Sequence, residues 1–599
     1  MVTHRRSTAT TDARSTRRSR RALWITLAVV VVVVLLLAAA AWLAFRALAA
    51  RDALAATADE AALLQQSVLA GEHDDLDARA RSISAHASDA ARATGDPVWR
   101  AAEILPWVGA NLRAVRDISE IADELARDGV PALLDAADAV DLDSLGVTGN
   151  TVDLAPLDAA RPALESADGV FSAAAERAAA IDTGWTLPII TDAVDEVRQT
   201  LEPAASTVDG LARAASLLPS MLGADGPRDY LLLMQNNAEV RSSGGIPGAF
   251  AVLHAEDGAI SLTGQASTAD FRKFDEPIAE LDAATVALFD DQPGQYVQHA
   301  LQIPDFPKAA ALAAEFWAQT MGSRVDGVVA VDTVTIADLL RATGPVSAGE
   351  YELTPDDAVD ILLSRVYADE PSPIQLDAFF AGASSAVFEA VTDGRASPAA
   401  LVEALAAAGD DGRIRMWSAD PSEQERLAET TLAGALPLDG AEEVFAGVFF
   451  NDSTGGKMNY YTAADITGTF ASCGDESRVS VDVVWANTLD PARAESLPHY
   501  VTGNGSSKVD PGQVRTRIAV YGPQGWTASG STLDGAAAPG QATIDQDRPV
   551  IQYEMTLSPG ESTTVSVDFA GAADEAQLGL VSTPLLRDPN VRVTTTGCE

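Results

Sequence analysis

The feature that most constrains this chain is the run from Ala22 to Phe45, 24 residues without a charge, placed directly behind seven arginines (Arg5, Arg6, Arg14, Arg17, Arg18, Arg20, Arg21) and one acid, Asp12. At about 1.5 Å per residue such a helix is about 36 Å long, enough to cross a bilayer with some tilt. Trp24 and Trp42 stand near its two ends, where interfacial aromatics belong. The positive-inside rule assigns residues 1–21 to the cytoplasm and residues 46–599 to the exterior. A cleaved signal peptide is the competing reading, but its apolar core is about 7–15 residues and this run is longer. No later segment approaches such a run, so a single pass is expected.

The exterior is strongly acidic. The whole chain carries a formal charge of -45, although its first 21 residues are basic. That balance excludes nucleic-acid binding through a general basic surface, because phosphate contacts need clustered Lys and Arg. At about 100–200 residues per domain, 599 residues make several units. Two cysteines exclude a disulfide-dense scaffold and a Cys-based zinc cage. Cys473 and Cys598 both fall in the exterior, where a disulfide persists, and we expect one between them. The acidic pairs Asp290-Asp291, Asp356-Asp357 and Asp410-Asp411 lack the EF-hand pattern and read as solvated surface.

Three exterior regions follow the membrane helix. Residues 46–215 are Ala-rich, and Leu112, Val115, Ile118, Ile121 and Leu125 recur at helical spacing. Pro97, Pro106, Pro131, Pro162, Pro188 and Pro203 are expected to divide this stalk or bundle into several helices. Residues 226–440 alternate strand and helix, which argues an α/β core. Strands are expected at Tyr230–Gln235, Ala249–Ala255, Ala259–Thr263 and Val325–Val331. Helices are expected over 308–322, Thr335–Thr343, Thr354–Tyr367 and 375–407, with Thr354 as an N-cap. Residues 441–599 read as a β-rich module, sandwich-like, in which Val479, Val481 and Val483 alternate with polar neighbours.

No enzyme signature survives. Gly455-Gly456-Lys457-Met458 lacks the hydroxyl residue and glycine spacing of a phosphate-binding loop. The segment 236–248 is the best candidate site, read as a polar, Gly-rich loop after a buried strand. Asn236 and Asn237 would donate to sugar or phosphate oxygens. Glu239 would pair with Arg241, hold a cation or act as a base. Arg241 would fork onto a phosphate or carboxylate. A loop that Glu239 and Arg241 merely tie to the sheet is the other reading, and both stay open.

The stretch Arg228–Gly248 (RDYLLLMQNNAEVRSSGGIPG) resembles the bacterial domain-of-unknown-function family numbered 4012, as do Ile104–Asn111 (ILPWVGAN) and Phe449–Tyr461 (FFNDSTGGKMNYY). That resemblance implies a membrane-anchored envelope protein. Val325–Asp332, Leu339-Leu340, Thr343–Val346 and Leu353–Tyr367 are more distantly similar to blocks of the LytR–CpsA–Psr family. Its members move glycopolymers from polyprenyl-pyrophosphate carriers to the cell wall, with arginines on the pyrophosphate and acidic residues on magnesium. The resemblance implies diphosphate-binding roles for Arg241 and Arg365, and places Tyr367 where that family has a second arginine.

Together these readings describe a multi-domain α+β protein with a single-pass anchor, a helical region, a LytR–CpsA–Psr-like core and a β module. The expected function is assembly of a cell-envelope glycopolymer, through binding of a polyprenyl-linked or wall polymer. Phosphotransfer with magnesium is the catalytic extension that the resemblance implies. A non-catalytic structural or interaction protein of the cell surface is the alternative. An apolar tunnel beside Arg241 and Arg365 would favour the first, and a closed, filled core with Glu239 and Arg241 paired internally the second.

Overall fold

The computed structural model describes residues 15–69, 75–139, 150–369, 372–394, 396–440, 443–472, 476–503, 509–572 and 576–597. They form two compact units. One takes in the chain to Asp141 together with Ala155–Ser216, and the other holds Leu142–Leu154 and Leu217–Glu599.

The first unit is helical: α1 (Ser15–Leu69), α2 (Leu76–Thr94), α3 (Pro97–Ala102), α4 (Val108–Glu124), α5 (Val130–Ala139), α6 (Ala155–Ala179) and most of α7 (Pro188–Met221). The apolar stretch of α1 begins at Trp24, and its side chains through Leu37 are exposed. This is compatible with a membrane anchor. A second helix, Ile374–Thr392, is also long and apolar enough to cross a membrane, but it is shorter and much less apolar, belongs to the other unit and is partly buried there. The expected seam of α4 is present: Ile118 and Ile121 are buried against Ala174, Ala178 and Val194. Small alanines at these contacts let the helices approach closely.

Pro97 and Pro188 begin helices, where the missing N–H costs nothing. The other expected breaks did not all occur. Pro131 lies two residues beyond a π-helical turn, Leu125–Gly129, in which the regular ladder is already interrupted. Pro162 and Pro203 sit inside α6 and α7 with exposed side chains, so water can take up the carbonyls they release.

The second unit joins a mixed sheet to a β-sandwich. The mixed sheet begins with β1 (Arg228–Arg241), β2 (Gly244–Glu256), β3 (Ala259–Ser267) and β4 (Gly327–Asp332), and runs in the order β3-β2-β1-β4 with Ile414–Ser418 at the far edge. β1 and β4 are parallel, and the remaining pairs antiparallel. Leu231, Leu233, Phe250 and Val328 pack on Phe306, Phe316 and Trp317 of the helix Phe306–Met321. The helices Thr333–Thr343 and Pro373–Thr392 share a second core, with Leu340, Leu353, Leu362 and Ala383. Thr354 does not cap its helix. Asp357 takes that place, and the Thr354 hydroxyl donates to it at 2.6 Å.

The sandwich consists of a six-stranded and a five-stranded sheet. Val479, Val481, Val483 and Trp485 face inward as their alternation predicts, and Trp485 stacks on Phe450 at 4.6 Å. Val240, from the end of β1, is buried in this same core. The strand Asn590–Gly597 pairs in parallel with Thr462–Ser472, Gly597 opposite Ser472. Cys473 and Cys598 lie outside the described residues. Peptide mapping without reductant is expected to return one linked pair, Cys473–Cys598. Two free thiols in that map would overturn the expected disulfide.

Candidate functional site

The segment read as a loop is a buried hairpin. β1 runs on through Arg241, and β2 resumes at Gly244. The pairing slips between Asn236 and Val240, so Asn237, Ala238 and Glu239 bulge out of the ladder. The polar side chains stay in a strand because each is matched. Asn236 donates to the Tyr367 hydroxyl at 2.8 Å and accepts from the Ala238 amide at 3.0 Å. Asn237 donates to Asp332 at 2.9 Å and accepts from the Thr333 amide at 3.3 Å. A Cβ at Gly245 would come within 2.4 Å of the Asn236 carbonyl group, so this glycine serves strand contact. The hairpin tip is held by the sandwich: Ser242 N–H donates to Asn451, and Thr583 donates to the Ser242 carbonyl.

Neither of the two arginines expected to bind diphosphate lines the cavity that Asn236, Glu239 and Tyr367 share. Arg241 is buried and donates to three backbone carbonyls, of Val240 (2.8 Å), Gln298 (3.2 Å) and Asp452 (3.4 Å). Burial pulls its pKa below the ordinary guanidinium value, against the pull of nearby Asp452. Burial likewise pushes the Asp452 carboxyl up to about 6 despite Arg241. Arg365 is exposed, with its guanidinium 5.9 Å from the Tyr351 ring. The arginines share no partner among the described residues.

Asn236, Glu239 and Tyr367 instead line a cavity of about 360 Å³. Its wall is largely apolar, with Ile246, Ile336, Leu353, Leu362, Leu376, Phe380, Ala383 and Val387 among its members. At Glu239 the wall turns polar. Glu239 forms an ion pair with Lys457, which is buried. The Lys457 ammonium also lies 4.6 Å from the Tyr367 ring and 4.9 Å from the Tyr500 ring. Those two rings stack at 5.7 Å. Burial works against the charged ammonium, but Glu239 and the tyrosines outweigh it and hold its pKa above the ordinary lysine value. Burial raises the Tyr367 phenol, opposed by Lys457.

Sequence reasoning missed Lys457 and Tyr500. Gly455 and Gly456 were weighed as a phosphate loop, whereas they let the chain lie against 501–503. A Cβ at Gly456 would meet the Val501 carbonyl at 2.6 Å, and Lys457 N–H donates to that carbonyl at 2.7 Å. The available signal was Lys457 itself, the lone cation of the block Phe449–Tyr461.

A second buried network braces the site. Asp332, at the end of β4, caps the helix Thr333–Thr343 through the Thr335 amide (2.8 Å) and hydroxyl (2.9 Å). Its other oxygen accepts from Arg413 at 2.6 Å and from Asn237. Arg413 also donates to the Leu585 carbonyl at 2.9 Å and pairs with Asp588. Burial opposes the Arg413 charge, yet the two aspartates raise its pKa. Among the described residues no group of three or more His, Cys, Asp or Glu is placed to hold a metal. Glu239 is paired with Lys457 and Asp332 with Arg413.

Residues 225–367 match the model of DUF4012, a protein family of unknown function. No curated protein matches the chain. Among solved structures, the chain is similar to protein gbs0355 from Streptococcus agalactiae, at 12% identity and a TM-score of 0.26, over 36% of this chain and 76% of that one. It is also similar to the transcriptional regulator yvhJ from Bacillus subtilis, at 11% identity and a TM-score of 0.21, over 36% of this chain and 84% of that one.

Proposed function

We propose that this is a membrane-anchored, extracytoplasmic protein of the cell envelope that binds an amphiphile in its mixed α/β core. An apolar chain would occupy the cavity, and an anionic head would meet Lys457. The ligand class is a polyprenyl-linked carrier of an envelope glycopolymer. One observation carries the reading: an apolar cavity of about 360 Å³ holding a buried cation in its wall. Cavities with many apolar contacts and few placed polar groups are the usual shape of small-molecule sites. In the structure Glu239 neutralises Lys457, so a phosphate would take over or share that role. Glycopolymer transfer is the extension that the LytR–CpsA–Psr resemblance implies. A diphosphate needs several cations, and Lys457 is the sole cation lining the cavity among the described residues, so binding is what we propose.

The test is mass spectrometry of lipids extracted from the full-length protein, purified in detergent from a cell rich in polyprenyl phosphates. Ala383→Trp fills the cavity, and Lys457→Met removes the cation. A polyprenyl phosphate or diphosphate is expected with the parent, reduced at least about tenfold in each variant, equivalent to about 1.4 kcal/mol. Arg241→Ala is a poor probe, because it unpairs three buried carbonyls. A lipid-free parent, or equal loads in all three proteins, would overturn the reading in favour of an interaction protein.

A further inference from the structure

The helical unit carries two apolar tips that its core does not use. Between α3 and α4, Ile104 is 84% exposed and Trp107 75%, with Leu105 and Val108 beside them. Between α6 and α7, Trp185 is 71% exposed and Ile189 72%, with Leu187 between them. The tips adjoin each other. Asn111 donates to the Trp107 carbonyl at 2.7 Å and accepts from the Leu187 amide at 2.8 Å. An exposed apolar cluster of this kind marks an interaction surface.

The position of the tips indicates what covers them. Asp96, which caps α3 through the Val98 amide, also accepts from the Trp42 indole at 3.2 Å. Arg46 donates to the Arg92 carbonyl at 2.6 Å and lies 3.6 Å from Asp96. Trp42 and Arg46 stand where the long apolar stretch of α1 ends. The first tip follows Asp96 by one short helix, so both tips lie at the end of the bundle that the apolar stretch of α1 enters. Exposed Arg92, Arg100 and Arg113 stand near them, Arg92 paired with Asp89, Arg100 4.0 Å from Glu120 and Arg113 donating to the Glu103 carbonyl at 2.8 Å.

The first tip is also built, not merely loose. Trp107 adopts φ +63°, a backbone region that bulky residues avoid. Gly109 packs so closely that a Cβ would come within 2.0 Å of the Glu103 carbonyl oxygen. The Val108 amide donates to the Pro106 carbonyl at 2.8 Å, and buried Trp99 ties the turn to Leu112 at 3.0 Å. The fold accepts local strain to hold the Trp107 ring outward. This accounts for Ile104–Asn111, a block that the cavity does not involve.

We propose that the two tips, centred on Trp107 and Trp185, insert into the interface of the bilayer that α1 crosses and fix the bundle on its surface. Tryptophan favours that depth, with its ring among acyl chains and its N–H among headgroups. The proposal rests on reading α1 as the anchor.

The test places the photo-crosslinker p-benzoylphenylalanine at Trp107, Trp185, Val33 or Leu438 of the full-length protein in phospholipid vesicles. Val33 reports the anchor, and Leu438 is an exposed apolar control in the other unit. Lipid adducts are expected at Trp107 and Trp185 in yields comparable to Val33, and none at Leu438. Adducts at Val33 alone would overturn the proposal and leave the anchor standing. No adduct at Val33 would remove the anchor reading and the proposal with it. Crosslinks from Trp107 or Trp185 to another protein chain, in place of lipid, would also overturn it. Helical circular dichroism checks each variant, and Ile104 replaces Trp107 if that variant misfolds.

Discussion

Arg413→Met is expected to destabilise the second unit by about 3–5 kcal/mol, the usual cost of removing one partner from a buried ion pair. Arg413 is buried, and Asp332 is wholly so. With Arg413 gone, Asp332 keeps the Asn237 amide, the Thr335 donors and the more distant charge of buried Arg415, but loses its direct ion pair. The Leu585 carbonyl loses a donor as well. Chemical denaturation of parent and variant measures the difference. Adding Asp332→Asn should recover much of the loss, because an amide oxygen can still cap the helix Thr333–Thr343 while the stranded charge is gone. A single variant within about 1 kcal/mol of the parent would show that the pair contributes no more than a surface bridge does.

The same network shows which parts of the molecule were legible in sequence. Strands with a simple inside and outside announced themselves. Val479, Val481 and Val483 alternate because one sheet face meets one core, and Tyr230–Gln235 is apolar because the mixed sheet is covered. The extension of β1 through Asn237 and Arg241 was hidden for a physical reason. There the strand lies between the α/β half and the sandwich, and polar side chains bonded to fixed partners take the place of apolar packing. Such a stretch has the composition of a loop and the burial of a core. The cavity was hidden differently. Tyr367 and Lys457 are far apart in the chain, and neither periodicity nor spacing relates them. Asn236, Glu239 and Tyr367 could be picked out locally, but their grouping without Arg241 or Arg365 depends on how the hairpin bulges. The prolines failed as breaks in α6 and α7 because their cost depends on whether water reaches the freed carbonyls, which residue type alone does not tell.

Glu239→Gln is expected to cost about 3–5 kcal/mol at pH 7 and to give the protein a new pH dependence. In the parent, Glu239 and two tyrosines hold the Lys457 pKa above its unfolded value. A raised lysine pKa contributes stability that is fully present below about pH 10.4 and lost only as pH rises through the folded value. The parent is therefore flat, as far as Lys457 is concerned, from pH 7 to 9.5. Without Glu239, burial is opposed only by the Tyr367 and Tyr500 rings, and the lysine pKa is expected to fall below its unfolded value of about 10.4. Over the range between that lowered value and about 10.4, the unfolded chain binds more protons than the folded one. Stability of the variant then rises with pH. The gap between parent and variant should narrow from pH 7 to pH 10, as read by urea denaturation at each pH. The Lys457→Met variant separates this from general strain: it has no ammonium to titrate, so its deficit against the parent should not narrow over pH 7–9.5. An anionic amphiphile in the cavity would act on the same group. It would replace the lost carboxylate, so added polyprenyl phosphate should stabilise Glu239→Gln more than the parent and leave Lys457→Met unchanged. Equal stabilisation of all three proteins would place the phosphate elsewhere and detach Lys457 from ligand binding.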